Sequence, residues 1–135
     1  MSNYIYYDYM TSSVCKVKED GIESIYSTSL QSYFNQQCLL NGSSLKGRQA
    51  SYQHFIPQKK YLPIPISKEE IYFPNEATNH SSCLYINYFE IQSIEYKEKT
   101  CIIHFKDNTC LTCQNPKRIQ SLIQRIQRYL LILNP

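Results

Sequence analysis

Four side chains of the metal-binding type lie close together in the sequence: Cys101 and His104, followed by Cys110 and Cys113. Pairs separated by two residues are common in structural zinc sites. Both pairs, however, fall in segments that alternate like β-strands, and residues an odd number apart on a strand point to opposite faces. We therefore expect no metal at this position and interpret the cysteines as small core residues.

Other catalytic patterns are also missing from the sequence. None of the three histidines, His54, His80 and His104, lies in a local pattern that marks a Cys–His pair. Glu69 and Glu70 are adjacent, and exposed charge at the start of a strand explains them. With only three glycines, the chain has neither a phosphate-binding loop nor a dinucleotide-binding fingerprint. The sequence predicts a protein that is not an enzyme and needs no cofactor.

Residues 42–48 offer a different chemistry, because they combine small residues with bases. Small residues let backbone amides approach a ligand, and the hydroxyls of Ser43 and Ser44 can bond to phosphate oxygens. Lys46 and Arg48 add positive charge, and arginine can enter a narrow A·T minor groove. Taken alone, the local chemistry favours an ordinary turn that joins two helices and carries two exposed basic residues.

Basic residues are concentrated in two segments that contain no acid. Such segments favour a polyanionic partner, and ordinary scatter of surface charge is the alternative. The net charge of +3 does not decide between them. Residues 24–67 contain Lys46, Arg48, Lys59 and Lys60, and residues 108–135 contain Lys117, Arg118, Arg125 and Arg128.

The elements that must position these residues follow from hydrophobic spacing and from turn signals. After a potential N-cap at Thr28–Ser29, helical spacing runs to the stop at Asn41–Gly42. Ser43 or Ser44 can cap a second short helix that reaches toward Tyr52. Alternation predicts strands at residues 4–7, 14–18, 22–26, 70–73, 83–88, 91–96, 100–106 and 109–113, and the prolines at 57, 63 and 65 favour extended chain.

The last helix has the clearest pattern in the sequence. Asn115–Pro116 resembles a cap followed by proline at the first helical position. The apolar stripe should pack on a sheet, with Lys117, Arg118, Arg125 and Arg128 on the arc that faces solvent. The sequence therefore predicts one α+β domain over residues 1–135, an antiparallel β-sheet with short central helices and a C-terminal amphipathic helix packed on the sheet. The stripe consists of Ile119, Leu122, Ile123, Ile126, Leu130 and Leu133.

Signals for export or membrane insertion are absent from the sequence. Residues 1–10 lack a basic region and an apolar region, and no stretch approaches the roughly 20 apolar residues of a membrane span. The six cysteines are then best interpreted as reduced thiols. We expect a cytoplasmic protein with no membrane partner.

Several segments, in the same order, resemble the ComK family of competence transcription factors. Residues 41–50 resemble its Gly-Ser-Ser-aromatic-x-Gly-Arg-basic segment, and Cys38 lies at the matching offset before it. Further segments are similar at residues 62–64, 71–74, 82–86 and 103–108, so that the likeness spans about residues 26–131. Leu45 and Gln49 replace the family's aromatic and basic residues, Tyr85 replaces its usual tryptophan, and the sequence ends at Pro135, before the extension of longer members.

The resemblance implies an activator of DNA-uptake genes that binds A-rich and T-rich boxes of duplex DNA, mainly through the minor groove. It also implies a homo-oligomer on DNA that is controlled by an adaptor and an ATP-dependent protease. Carried over by position, Ser43, Ser44, Lys46, Gly47 and Arg48 become the DNA-binding segment. Lys59 and Lys60 are its basic neighbours, and Arg118, Arg125 and Arg128 are candidates for a second surface that contacts the DNA backbone.

A protein of another class remains the alternative. A run of three strands followed by a helix also occurs in pleckstrin-homology-like domains. Such a module could bind a peptide or an anionic lipid headgroup, or could be an inactive partner in mixed oligomers with a longer regulator.

Overall fold

The computed structural model describes residues 1–78 and 80–134. In these residues nine strands form two antiparallel sheets, and three α-helices cover them. The predicted α+β class is confirmed, with two sheets instead of one. The strands are β1 Tyr4–Asp8, β2 Ser13–Lys18, β3 Gly21–Tyr26, β4 Ile64–Ser67, β5 Glu70–Pro74, β6 Tyr85–Asn87, β7 Ile91–Tyr96, β8 Thr100–Phe105 and β9 Cys110–Gln114. The helices are α1 Leu30–Leu40, α2 Leu45–Phe55 and α3 Pro116–Leu133.

The larger sheet, sheet A, has the strand order β3-β2-β1-β6-β5-β4. Its two halves join where β1 pairs with β6, which places Tyr4 opposite Ile86. Residues 64–67, which the sequence predicts only as extended chain, form the edge strand β4. Pro65 is tolerated there because it lies next to a register irregularity on an edge strand.

The smaller sheet, sheet B, is the antiparallel meander β7-β8-β9. A 3-10 helix at Tyr88–Glu90 leads into it, so β6 is shorter than the predicted strand at residues 83–88. Side chains from β8 alternate regularly, and Cys101, Ile103 and Phe105 are buried. The ring of Phe105 stacks on Tyr4 of sheet A, with their centroids 6.1 Å apart, and this contact joins the two sheets.

Two hydrophobic cores hold the layers together. The first lies between sheet A, sheet B and α3, and it includes Phe73, Ile86, Ile103 and Ile126. The second lies on the other face of sheet A, where Phe34 of α1 contacts Tyr72 and Tyr85. Helix α2 contributes to both cores, since Tyr52 and Ile56 belong to the first and Leu45 packs on the second. Its N-terminal turn is therefore held against the second core and its C-terminal half against the first.

Helix α3 follows the predicted stripe, with one addition. Ile119, Leu122 and Ile126 are completely buried or nearly so, and Tyr129 is buried beside them. The predicted start at Pro116 is confirmed. The expected cap is not, because Asn115 has a left-handed backbone with φ of 56° and its side chain makes no capping hydrogen bond.

Candidate nucleic-acid interface

A four-residue turn joins α1 to α2. Gly42 has a φ of +95°, in the left-handed region that glycine adopts without strain. The amides of Gly42 and Ser43 donate to the carbonyl oxygens of Leu39 and Cys38, each at 3.1 Å, and these bonds satisfy the end of α1. The predicted stop at Asn41–Gly42 is confirmed, and the chain reverses within this turn.

Ser44 is the N-cap of α2, and its Oγ accepts a 2.9 Å hydrogen bond from the amide of Gly47. The amide of Leu45 donates to Oδ1 of Asn35 in α1, also at 2.9 Å. Two of the first helical amides are thus bonded within the protein. Within residues 1–78 and 80–134 the Lys46 amide has no such acceptor, and the exposed Lys46 side chain lies beside it.

Gly47 allows both serines to lie close to the start of α2. A Cβ atom at this position would be 2.5 Å from Oγ of Ser43 and 3.2 Å from Oγ of Ser44. Because the Ser43 hydroxyl cannot occupy its present position beside a larger residue, whereas that of Ser44 would need only a small shift, Gly47 determines how Ser43 is presented.

Arg48 does not project freely from α2. One of its terminal nitrogens donates a short hydrogen bond to the carbonyl oxygen of Asn41, across the turn. Its Nε is buried and has no partner among the described residues. The side chain is half-buried and holds the turn in shape, a role that the sequence did not reveal.

Helices α2 and α3 bring three arginines near one pair of tyrosines. The rings of Tyr52 and Tyr129 lie 5.0 Å apart. Burial raises the pKa of the Tyr52 hydroxyl, and the charges of Arg125 and Arg128 oppose that increase. Burial likewise raises the pKa of Tyr129, and the charge of Arg48 is among the effects that oppose it. We call Arg48, Arg125 and Arg128 the basic face.

Lys59 and Lys60 lie in the loop that follows α2, and both are exposed. The loop is anchored by the buried Gln58, whose side-chain nitrogen donates to the carbonyl oxygens of Lys60 at 2.8 Å and Tyr61 at 2.9 Å. Together with Leu45 of α2 the two lysines line a cleft. Helix α2 is therefore flanked by basic side chains on two sides.

Arg118 corrects one prediction. The stripe pattern predicts that it faces solvent, but its guanidinium lies over the ring of Tyr61, 4.5 Å from the centroid, and donates to the carbonyl oxygen of Asn75 at 2.6 Å. It is half-buried, with an enclosed Nε. Arg118 connects α3 to two loops, whereas Lys117 and Arg128 are exposed as predicted.

The Cys–His segments occupy the β8–β9 hairpin, and its register separates them. Cys101 lies opposite Cys113, and both are buried. His104 lies opposite Cys110 on the other face of the hairpin, where Cys110 is exposed. The predicted separation of the four side chains is confirmed. Over the described part of the chain, no group of three or more histidine, cysteine or acidic residues could hold a metal ion.

One polar cluster was not anticipated from the sequence. Oγ of Ser82 lies 2.7 Å from Nδ1 of His80 and 2.8 Å from Oε2 of Glu76, and the histidine and glutamate atoms are 3.2 Å apart. A catalytic relay needs serine and carboxylate on different imidazole nitrogens. Here both contact the same nitrogen, so the cluster stabilises an exposed loop.

Helix α2 and the arginines of α3 belong to segments of the sequence that contain no acidic residue, a charge distribution that fits a protein that binds polyanions. No helix in residues 1–78 and 80–134 is long and apolar enough to cross a bilayer.

A family model described as ComK protein matches residues 2–133, nearly the whole sequence. The chain therefore belongs to the ComK family, which is a family of competence transcription factors and not of enzymes. No curated protein and no solved structure matches it.

Proposed function

We propose that this protein activates the transcription of DNA-uptake genes by binding AT-rich duplex DNA, mainly through the minor groove. The observation that carries the proposal is the position of α2, which has Arg125 and Arg128 near Tyr52 and shares a cleft with Lys59 and Lys60 at Leu45. Neither of the two segments that supply these basic residues contains an acidic residue. The family relationship supports it. As the resemblance implies, we further propose a cytoplasmic homo-oligomer on DNA, controlled by an adaptor and an ATP-dependent protease.

The start of α2 is the proposed primary contact. Oγ of Ser44 accepts from the Gly47 amide, so its own proton remains available for a phosphate oxygen. Ser43 lies against Gly47 and presents a second hydroxyl at the same turn. Lys46 adds a charge and the amide at the second helical position, where an anion is favoured.

Arg48 is the proposed groove residue or phosphate clamp. A guanidinium has five N–H donors. The hydrogen bond to Asn41 uses only one terminal nitrogen of the Arg48 guanidinium. The Arg48 side chain is already half-buried and oriented. It therefore loses less conformational entropy on contacting DNA than an arginine that moves freely in solvent. The same side chain then shapes the turn and contacts the nucleic acid.

The remaining basic residues supply positive charge around this contact. Arg125 and Arg128 form the second proposed surface for the DNA backbone, since they lie near Tyr52 of α2. The exposed Lys59 and Lys60 increase affinity without reading sequence. Arg118, whose two terminal nitrogen atoms are engaged by Tyr61 and Asn75, contributes through its charge alone.

Fluorescence anisotropy with a labelled AT-rich duplex tests the proposal. The double variant Arg125→Gln/Arg128→Gln and the single variant Lys46→Gln should bind with affinities reduced about tenfold and about threefold, as expected for lost phosphate contacts. The matched control is Lys97→Gln/Lys99→Gln, which removes two charges from the β7–β8 turn, outside both basic segments. If all three proteins bind equally, α2 and α3 are not the interface.

The same assay tests the groove and the sequence preference. Netropsin occupies the minor groove of AT-rich DNA, so it should displace the protein, and a GC-rich duplex of equal length should bind more weakly. An affinity for the AT-rich duplex that equals that for the GC-rich duplex, and that netropsin does not reduce, would rule out minor-groove recognition.

A further inference from the structure

A cleft of about 840 Å³ opens beside the first turn of α2. Its walls come from the end of β1, the N-terminus of α1, the first turn of α2, the Lys59–Lys60 loop and residues 77–78. This volume lies in the range of small-molecule sites, about 300–1,000 Å³, and is too small for a duplex. A ligand bound here would be a small molecule or the end of a single strand.

The charge of the cleft is entirely positive. Lys59 and Lys60 line it, and none of the described lining residues is acidic. In residues 1–78 and 80–134 neither lysine forms an ion pair. Gln58 fixes the backbone of the loop, so both lysines stay at the wall of the cleft and their exposed ammonium groups can reach a ligand there. An anion is the complementary ligand.

Aromatic rings form another part of the lining. The ring of Tyr9 is 66% exposed and stands edge-on against Tyr7, with their centroids 4.8 Å apart. The hydroxyl of Tyr7 is engaged by the carbonyl oxygen of Ser27 at 2.7 Å, which holds that pair in place. Tyr61 supplies another ring, and Arg118 lies over it. A flat ring system can stack on such surfaces.

The N-terminus of α1 completes the site. Ser29 caps this helix through the amide of Ser32, and Thr28, Ser29 and Gln31 line the cleft. Hydroxyl groups and a helix N-terminus both favour phosphate oxygens. The cleft therefore combines two lysines on an anchored loop, hydroxyl groups of the type that bonds to phosphate, and aromatic rings.

We propose that this cleft binds a nucleoside phosphate, with the base against Tyr9 and the phosphates at Lys59 and Lys60. The proposal goes beyond duplex binding and holds whether or not the protein binds DNA, since it depends on the cleft alone. The nucleotide can be free or can be the end of a single strand, because both present the same base and phosphate.

Isothermal titration calorimetry of the protein with ATP tests this site. We expect one-site saturable binding of ATP, with adenosine and tripolyphosphate each binding at least about tenfold more weakly because each lacks one half of the recognition. Tripolyphosphate that binds as tightly as ATP would overturn the proposal, since the rings would then have no role. ATP without detectable heat or tyrosine NMR shifts, together with no binding of the strand dA4, would also overturn it.

Variants locate the site and separate it from duplex binding. Tyr9→Ala should weaken ATP about tenfold and leave affinity for the AT-rich duplex unchanged. Lys59→Gln/Lys60→Gln should weaken ATP at least tenfold, whereas Lys97→Gln/Lys99→Gln should not. Far-UV circular dichroism checks that each variant is folded. Normal ATP affinity in folded Lys59→Gln/Lys60→Gln would contradict the assignment, even if duplex binding were intact.

The source of the nucleotide follows from a comparison of two ligands. Tighter binding of ATP than of dA4 indicates a free nucleotide, and tighter binding of dA4 indicates a strand end. Either result supports the site, provided that Tyr9→Ala weakens the tighter ligand. A tighter ligand that is insensitive to Tyr9→Ala would contradict it.

Discussion

The hydroxyl of Tyr52 donates a 2.9 Å hydrogen bond to Oε1 of Gln58, and neither residue is more than 7% exposed. The amide nitrogen of the same glutamine holds the carbonyl oxygens of Lys60 and Tyr61. One buried side chain thus connects the middle of α2 to the loop that carries Lys59 and Lys60. This contact therefore links the part of α2 that lies near Arg125 and Arg128 to the Lys59–Lys60 loop.

Removing the Tyr52 hydroxyl should therefore destabilise the protein. Tyr52→Phe leaves Oε1 of Gln58 buried without its donor, which should lower the free energy of unfolding by about 1–3 kcal/mol. Urea unfolding followed by circular dichroism measures it. Tyr26→Phe, at a residue that is 77% exposed, is the matched control and should change stability by less than about 0.5 kcal/mol. Equal effects of the two variants would show that the buried bond is not important.

Gly47→Ala should separate DNA binding from stability. The new Cβ would meet Ser43 Oγ at 2.5 Å, and that hydroxyl can rotate away. Alanine is favoured over glycine inside a helix by about 1 kcal/mol, so the free energy of unfolding should change by no more than that amount. Affinity for the AT-rich duplex should fall about fivefold if the displaced hydroxyl contacts a phosphate.

Ser43→Ala provides the control for that prediction. Alone it should weaken the duplex complex about as much as Gly47→Ala, and the double variant should show little further loss, because both changes remove the same contact. Additive losses in the double variant would mean that Gly47 acts through something other than Ser43.

Asp107 should make stability depend on pH. Burial alone would raise the pKa of this carboxyl, but hydrogen bonds from Thr109 and Asn3 outweigh it and lower the pKa. A carboxyl with a lowered folded-state pKa stabilises the protein above its unfolded-state pKa, and that contribution disappears as the pH falls through the folded value.

The difference in stability between the wild type and Asp107→Asn should therefore be largest at neutral pH and should vanish in acid. Unfolding by urea at a series of pH values measures this difference. Asp20→Asn in the β2–β3 turn is an exposed control and should show a smaller difference at neutral pH. A difference for Asp107→Asn that does not change with pH would contradict the role of its ionised form.

Cys110 should be the only rapidly reacting thiol among the six. Burial raises the pKa of Cys38, Cys83 and Cys101, and it raises that of Cys113 to about 12, so these groups stay protonated near neutral pH. The thiol of Cys15 is also buried, and burial shields it from the reagent. Titration with a thiol-specific disulfide reagent should show one fast equivalent per chain. Cys110→Ser should remove it, and a fast phase that survives this change would show that the hairpin or the core opens readily.

Local patterns in the sequence predicted most elements of the fold. The period-two alternation of β8 and the period-3.6 stripe of α3 directly reflect burial on one face, and Ser29 and Gly42 mark helix ends by their own chemistry. Strand β4 was missed because Pro65 disfavours a strand everywhere except at an edge. The division into two sheets depends on β1 pairing with β6, a contact between distant segments that no local pattern encodes.

The candidate site was only partly predictable for the same reason. The sequence located the turn at residues 42–48 and its serines, but the partners of its arginines come from elsewhere in the chain. Arg48 bonds back to Asn41, and Arg118 bonds to Asn75 from a distant loop. The cleft combines β1, α1, α2 and residues 77–78, so only the tertiary structure brings Tyr9 and Lys59 to it.

The dependence of duplex affinity on salt tests the central claim most directly. The affinity of the wild-type protein for an AT-rich duplex is measured by anisotropy from low to physiological salt. Each phosphate contact should contribute about 0.9 to the slope of log affinity against log salt concentration, so we predict a steep linear decrease. Arg125→Gln/Arg128→Gln should reduce that slope by about 2. No saturable binding at low salt, or an affinity that does not change with salt, would contradict the account.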